Sequence, residues 1–184
     1  MPGSGCERQE SAGGERFVAS ASTTFRVEVL TEDDWLRLRG IRLSALKENP
    51  QEFLSSFEVE DTYAERKWRS EFARGEWVVI IAGDEVVGVL GATRESVMPS
   101  YECYLEYLWV SPGFRESGAA SLLLKTVLDR LRDSGVITVW LWILDGNDPA
   151  MRLYEKFGFR STNERQPLAA DPARSEERMR LSLR

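Results

Sequence analysis

The chain has 184 residues, with 24 Lys and Arg against 30 Asp and Glu, no His, and a formal net charge of −6. That length suits one domain with a full core plus a tail. The acidic balance excludes nucleic-acid binding, which needs phosphate-neutralising cations, and no apolar run approaches the ~20 residues that span a bilayer. The N-terminus lacks the apolar stretch of a signal peptide, so a cytoplasmic protein is expected. Without histidine, imidazole-based acid–base and nucleophilic schemes fall away. The two cysteines, Cys6 and Cys103, suggest neither a disulfide framework nor a zinc site, so no metal is expected.

Residues 1–24 are rich in Gly, Ser, Ala and Glu without periodicity and read as a disordered tail ahead of a single α/β domain over 25–184. Phe25–Leu30 alternates like a strand, and Thr31 with Asp34 forms a capping-box pattern. The helix that follows carries Trp35, Leu38, Ile41 and Ala45 on one stripe and stops before Pro50. Gln51 to about Arg74 reads as a second helical stretch broken near Ser55–Ser56. Trp77–Ala82 and Val86–Ala92 are strands joined by Gly83-Asp84-Glu85, a hairpin, and Tyr101–Val110 is the fourth strand.

Pro112-Gly113 then turns the chain into a run of small residues that opens a Leu-rich helix. Its stripe is Ala120, Leu124, Val127 and Leu131, and its stop is Gly135. A helix start of this kind leaves backbone N–H groups free to bind phosphate. Gly118 and Ala120 allow close approach, and Arg115 adds positive charge. Val136–Leu144 is apolar on both faces and reads as a strand covered on both sides by helices. Asn147 or Asp148 caps a last helix that Gly158 ends. Strands from near Phe159 and over Met179–Leu183 close the sheet, with Arg165–Pro172 as a loop between them.

Two motifs in this order carry a resemblance. Arg115, Gly118 and Ala120 match Arg/Gln-x-x-Gly-x-Gly/Ala. Asn147, Ala150, Leu153, Tyr154, Gly158 and Phe159 match Asn-x-x-Ala-x-x-Leu-Tyr-x-x-x-Gly-Phe. From about Phe25 onward the chain resembles the GNAT superfamily of acetyl-CoA-dependent N-acetyltransferases. Where many members have Gly directly after the Arg/Gln, this chain has Glu116. The resemblance implies a mixed central sheet of six to seven strands, about four flanking helices, and splayed fourth and fifth strands with the pantetheine arm between them. It also implies that Leu108, Trp109 and Val110 pair with that arm, one N–H near Leu108 serving as oxyanion donor. Arg115, Glu116, Ser117, Gly118, Ala119 and Ala120 would hold the pyrophosphate, Asn147 would bond the pantetheine or an ordered water, and Tyr154 would be general acid.

Acetyl transfer to an amine also needs a base. The resemblance implies a base at alternate positions of the fourth strand, upstream of its bulge. Here these are Glu102, Tyr104 and Glu106, which share one face by the period-two rule, and Glu106, nearest Leu108, is the first choice, with Glu102 second. A bulge between the two glutamates would separate them. Neither cysteine lies in a nucleophile motif, which favours direct transfer. The expected acceptor is a small-molecule primary amine. The alternatives are a peptide or protein amine, or a catalytically silent acyl-CoA-binding module; a homodimer is left open. Specificity is expected from about Lys47 to Tyr63 and from Arg165–Asp171. The carboxylates Glu48, Glu52, Glu58, Glu60 and Asp61 read as a solvated helix face, and Trp140 and Trp142 read as core or pocket wall.

Overall fold

The computed structural model describes residues 23–168 and 171–183; most of the tail expected over 1–24 lies outside these. Seven strands form one mixed sheet in the order β1-β2-β3-β4-β5-β7-β6. The strands are β1 (Phe25–Leu30), β2 (Gly75–Ala82), β3 (Glu85–Thr93), β4 (Glu102–Val110), β5 (Thr138–Leu144), β6 (Arg160–Leu168) and β7 (Asp171–Ser182). Five helices accompany them: α1 (Trp35–Glu48), α2 (Phe57–Glu60), α3 (Glu65–Ser70), α4 (Ala119–Asp133) and α5 (Asp148–Lys156). Neighbouring strands are antiparallel except β4 and β5, whose parallel ladder has only three pairs, Glu102–Thr138, Cys103–Val139 and Tyr104–Trp140. Beyond Tyr104 the two strands part, as expected.

Two apolar layers sandwich the sheet. Under α4 and α5, Leu123, Leu124, Val127 and Leu131 meet Val87, Leu90, Leu105, Val139, Leu141 and Met179. On the other face, Leu38, Ile41, Ala45 and Leu46 of α1 and Trp68 of α3 cover Trp77, Val79, Val89 and Trp109. Thr31 and Asp34 form the anticipated capping box. Gly135, at φ +83°, ends α4 in the left-handed region that favours glycine.

Several expectations are corrected. In α4 the buried small residue is Ala119, and Ala120 is half-buried. Gln51–Arg74 is shorter and more broken than a two-part helix. A 3-10 turn over Pro50–Glu52 precedes α2, whose N-terminus Ser56 caps by accepting from the Val59 amide. The Thr62 hydroxyl then donates to the Val59 carbonyl at 2.7 Å, drawing the chain out of helical register before α3. The strand β5 is not covered on both faces: Val139, Leu141 and Ile143 are buried, but Trp140, Trp142 and Leu144 are half-exposed. Of the loop expected over 165–172, the described residues lie in paired strands, with Arg165 opposite Glu177 and Leu168 opposite Asp171, while 169 and 170 lie outside the described residues. The sequence of β6 shows no alternation because it is an edge strand held by its ladder to β7 rather than by burial.

Candidate active site

The parting of β4 and β5 leaves a cleft of about 350 Å³. Leu105, Glu106, Tyr107 and Leu108 line one wall, and Trp142, Ile143 and Leu144 the other. Asn147, the cap of α5, and Ala150 and Tyr154 within that helix close it on one side of the sheet, and Glu52–Ser55 on the opposite side. The cleft therefore runs through the sheet. From Leu105 onward the edge of β4 facing β5 has no strand partner.

A bulge shapes the β4 wall. The register against β3 slips between Val89 and Gly91, which pair with Trp109 and Glu106. Tyr107 absorbs the extra residue at φ +62°, in the left-handed region. Because the bulge follows Glu106, it leaves Glu102, Tyr104 and Glu106 on one face, as the alternation predicted. Tyr107 joins that face, stacking on Trp77 at 5.3 Å and lying under the Arg42 guanidinium at 3.9 Å. Leu108 and Val110 pack with the core under α4, whereas Trp109 points to the α1 side. Leu108 lines the cleft; the buried rings and methyls of Trp109 and Val110 do not.

Glu106 and Glu102 have diverged in environment. Glu106 lines the cleft, and burial pushes its carboxyl above the usual range against the partial opposition of Arg74 and a Thr93 hydrogen bond. Arg74 stands 3.9 Å from its Oε2, which has no hydrogen-bond partner among the described residues. Glu102 instead accepts the Trp140 indole N–H at 2.8 Å, at the paired end of the strands and away from the cleft. The geometry favours Glu106.

Tyr154 is 8% exposed, with its ring edge-on to Phe159 at 5.4 Å. Burial raises its pKa, so the phenol keeps its proton at neutral pH. The Asn147 side chain caps α5 by accepting from the Ala150 amide at 3.3 Å. Asp148 is the first residue of that helix, which settles the choice of cap.

Past the end of β4, a 3-10 turn over Pro112–Phe114 leads into Arg115–Ala120. Glu116 at φ +59° and Gly118 at φ +91° both occupy the left-handed region. The position of Glu116 is therefore one where glycine costs least, which accounts for the glycine common there in the motif. A side chain at Gly118 would meet nothing within 4 Å, so space for a ligand is open at the start of α4. The Ser117 hydroxyl donates to the Phe114 carbonyl and accepts from the Ala119 amide. The Arg115 guanidinium does not project freely. It donates to Asn49 Oδ1 at 2.7 Å and to the Val110 carbonyl at 3.2 Å. Asn49, the C-cap of α1, also accepts the Trp109 indole N–H at 2.9 Å. Sequence reasoning missed Asn49, whose role depends on a contact across 66 positions.

Glu176 was missed as well. It lines the cleft opposite Leu144 and is 7% exposed. Of the acidic cluster read as a solvated face, Glu48, Glu52 and Glu58 are exposed and Asp61 pairs with Arg39 at 2.6 Å. Glu60 is the correction: it is buried in a two-point ion pair with Arg42.

Similar proteins lie in one group. A [Ribosomal protein bS18]-alanine N-acetyltransferase of Salmonella typhimurium is 35% identical over 65 residues, 35% of this chain and 44% of that enzyme. The chain thus matches less than half of that relative's length. The uncharacterized N-acetyltransferase YdgE of Bacillus subtilis is 24% identical over 149 residues, 77% of this chain and 95% of that protein. The fold is shared with a putative acetyltransferase of Salmonella typhimurium solved with acetyl-CoA. That structure has a TM-score of 0.70 at 16% identity, over 88% of this chain and 95% of that one. It is also shared with a putative phosphinothricin N-acetyltransferase, TM-score 0.72 at 15% identity, over 88% and 99%. The sequence profile described as the acetyltransferase (GNAT) family matches residues 42–159, well over half of the chain, and the protein belongs to that family.

Proposed function

We propose that the protein transfers the acetyl group of acetyl-CoA directly to a primary amine of a small molecule. One observation carries this reading: the parted strands form a cleft with the raised-pKa carboxyl of Glu106 on one wall and the protonated phenol of Tyr154 at its α5 side.

The chain fits acetyl-CoA, which would supply the acetyl group as an activated thioester. The unpaired edge of β4 from Leu105 to Leu108 offers backbone groups to the amides of the pantetheine arm, as an added strand would use them. The N-terminus of α4, with free space at Gly118, suits the pyrophosphate, and Arg115 lends charge beside it. A backbone N–H near Leu108 is placed to stabilise the charge that develops on the carbonyl oxygen. Glu106 takes the proton of the incoming ammonium, and Tyr154 gives one to the departing thiolate.

Direct transfer is supported by Cys103. It is 1% exposed, packs under α4, and burial pushes its thiol up to about 12, which leaves no thiolate to carry an acetyl group. A cleft of about 350 Å³ is at the small end for ligand pockets, which favours a compact acceptor. A peptide N-terminus is the second reading, because the Salmonella relative is named for acetylating an alanine of a ribosomal protein.

The test is thiol release from acetyl-CoA across a panel of small amines and an Ala-initiated peptide. Tyr154→Phe should keep acetyl-CoA affinity and lower turnover ~10²–10⁴-fold when chemistry limits the rate. Unchanged turnover would make Tyr154 a packing residue. No release with any amine would overturn the proposal.

A further inference from the structure

The cleft is lined by three carboxylates, Glu52, Glu106 and Glu176, and among the described residues by no Lys or Arg. Glu106 has a role in the reading above, and Glu52 is exposed at the mouth. Glu176 is unexplained. A carboxylate so deeply buried normally has a cation beside it. Here Oε1 accepts one bond, from the neutral Gln166 amide at 2.7 Å. No Lys or Arg among the described residues forms an ion pair with Glu176, and the cations near it in sequence bond other groups, although Arg178 Nε is buried with no partner among the described residues. Arg178, two positions along the same face of β7, lies over Trp140 at 4.0 Å and bonds Glu164 at 2.8 Å. Arg174 donates to the Gln51 carbonyl at 2.6 Å. Arg165 pairs with Asp145 and Glu177, and Glu177 is turned to the other face of β7. Among the groups lining the cleft, aromatic and apolar Tyr104, Leu108, Trp142 and Leu144 accompany the two carboxylates, a surface suited to methylenes.

Resting on the proposed transfer reaction, we infer that the acceptor is a compact diamine. One nitrogen loses its proton to Glu106 and attacks, while the other stays an ammonium held by Glu176. Glu176 is then a specificity residue. Gln166 orients its carboxylate, and the substrate supplies the missing cation.

Cadaverine and n-pentylamine, matched in chain length and differing by one ammonium, are the probes. Both acetylation kinetics and calorimetric binding are measured on the wild type, Glu176→Gln and Glu176→Asp. Glu176→Gln can keep its bond to Gln166 and so tests the charge rather than the packing. It should raise the cadaverine KM ~10–100-fold, the worth of a charge-assisted hydrogen bond, with kcat nearly constant. The n-pentylamine parameters should stay as in the wild type, and Glu176→Asp should restore part of the cadaverine affinity.

Equal losses for both amines, or a wild type that does not prefer cadaverine, would overturn the inference while leaving acetyl transfer intact. Cadaverine binding that depends on Glu176 without its acetylation would show a cation site at Glu176 but overturn the diamine as acceptor. Neither binding nor turnover of either amine would overturn the inference, and thiol release across the wider amine panel would decide the transfer reading separately.

Discussion

Under α4 and α5 the sheet buries aliphatic and aromatic side chains together with the Cys103 thiol, a dry layer in which no charged side chain among the described residues is fully buried. The face under α1–α3 and its continuation along β5 and β7 is different. All five buried polar or charged side chains among the described residues, Arg42, Glu60, Thr93, Thr138 and Glu176, belong there. Polar groups inside a protein cost stability unless they are fully paired. Gathering them on one face leaves the other to hold the fold together and frees this one for chemistry. The cleft passes between the two, taking Tyr154 from the dry side and Glu106 from the charged side.

The largest effect that tests this contrast is expected at Arg42. Its guanidinium pairs with buried Glu60 and packs over Tyr107 and Phe53. Arg42→Met should cost ~3–5 kcal/mol in denaturant unfolding, because it strands a buried carboxylate. The double variant Arg42→Met with Glu60→Leu should recover most of that loss. A single variant as stable as the parent would mean that the charges on this face are better solvated than their burial implies.

Glu106 should give the next largest effect, with opposite signs for activity and stability. Glu106→Gln should lower the rate at neutral pH by ~10²-fold and regain part of it at high pH, where the amine loses its proton unaided. Burial raises the folded pKa of Glu106 above its ordinary value. The stability tied to its proton is therefore complete below the unfolded pKa and is lost as pH rises through the folded value. The Gln variant, with nothing to ionise, should match the parent at low pH and exceed it in melting temperature at neutral pH. A parent whose stability relative to this variant is flat with pH would show that Glu106 is not perturbed.

On the dry side, Asn147→Ala removes one cap bond and should cost ~1 kcal/mol. A loss of acetyl-CoA affinity greater than that stability change would show that the side chain also meets the ligand.

Much of the fold was legible because its signals are local. Pro112-Gly113, the small residues through Ala120 and the Asn147–Phe159 run each define a turn or helix end, and the apolar run ending at Leu144 marks a strand inside the sheet, although one of its faces is half-exposed. What remained hidden depends on register. The alternation of Met179, Leu181 and Leu183 puts Glu177 on their face and Glu176 on the other, but only the pairing of Leu144 with Glu176 shows that Glu176 reaches the cleft. Arg42 lies between Ile41 and Leu43, and its burial requires a partner 18 positions away. The bulge at Tyr107 left no mark either, since no glycine or asparagine announces its positive φ.

The three-pair ladder between β4 and β5 has a consequence for how the protein folds. On one side lie β1–β4, a meander of consecutive antiparallel strands, and on the other β5–β7, also contiguous in the chain. The hairpins β2–β3, β3–β4 and β6–β7 close short loops and so form early, whereas β1 reaches β2 only across the segment with α1–α3. The β4–β5 junction must wait until the intervening segment with α4 has brought the blocks together. The seam is thus made after the hairpins on either side of it, and the cleft comes into being only at that step.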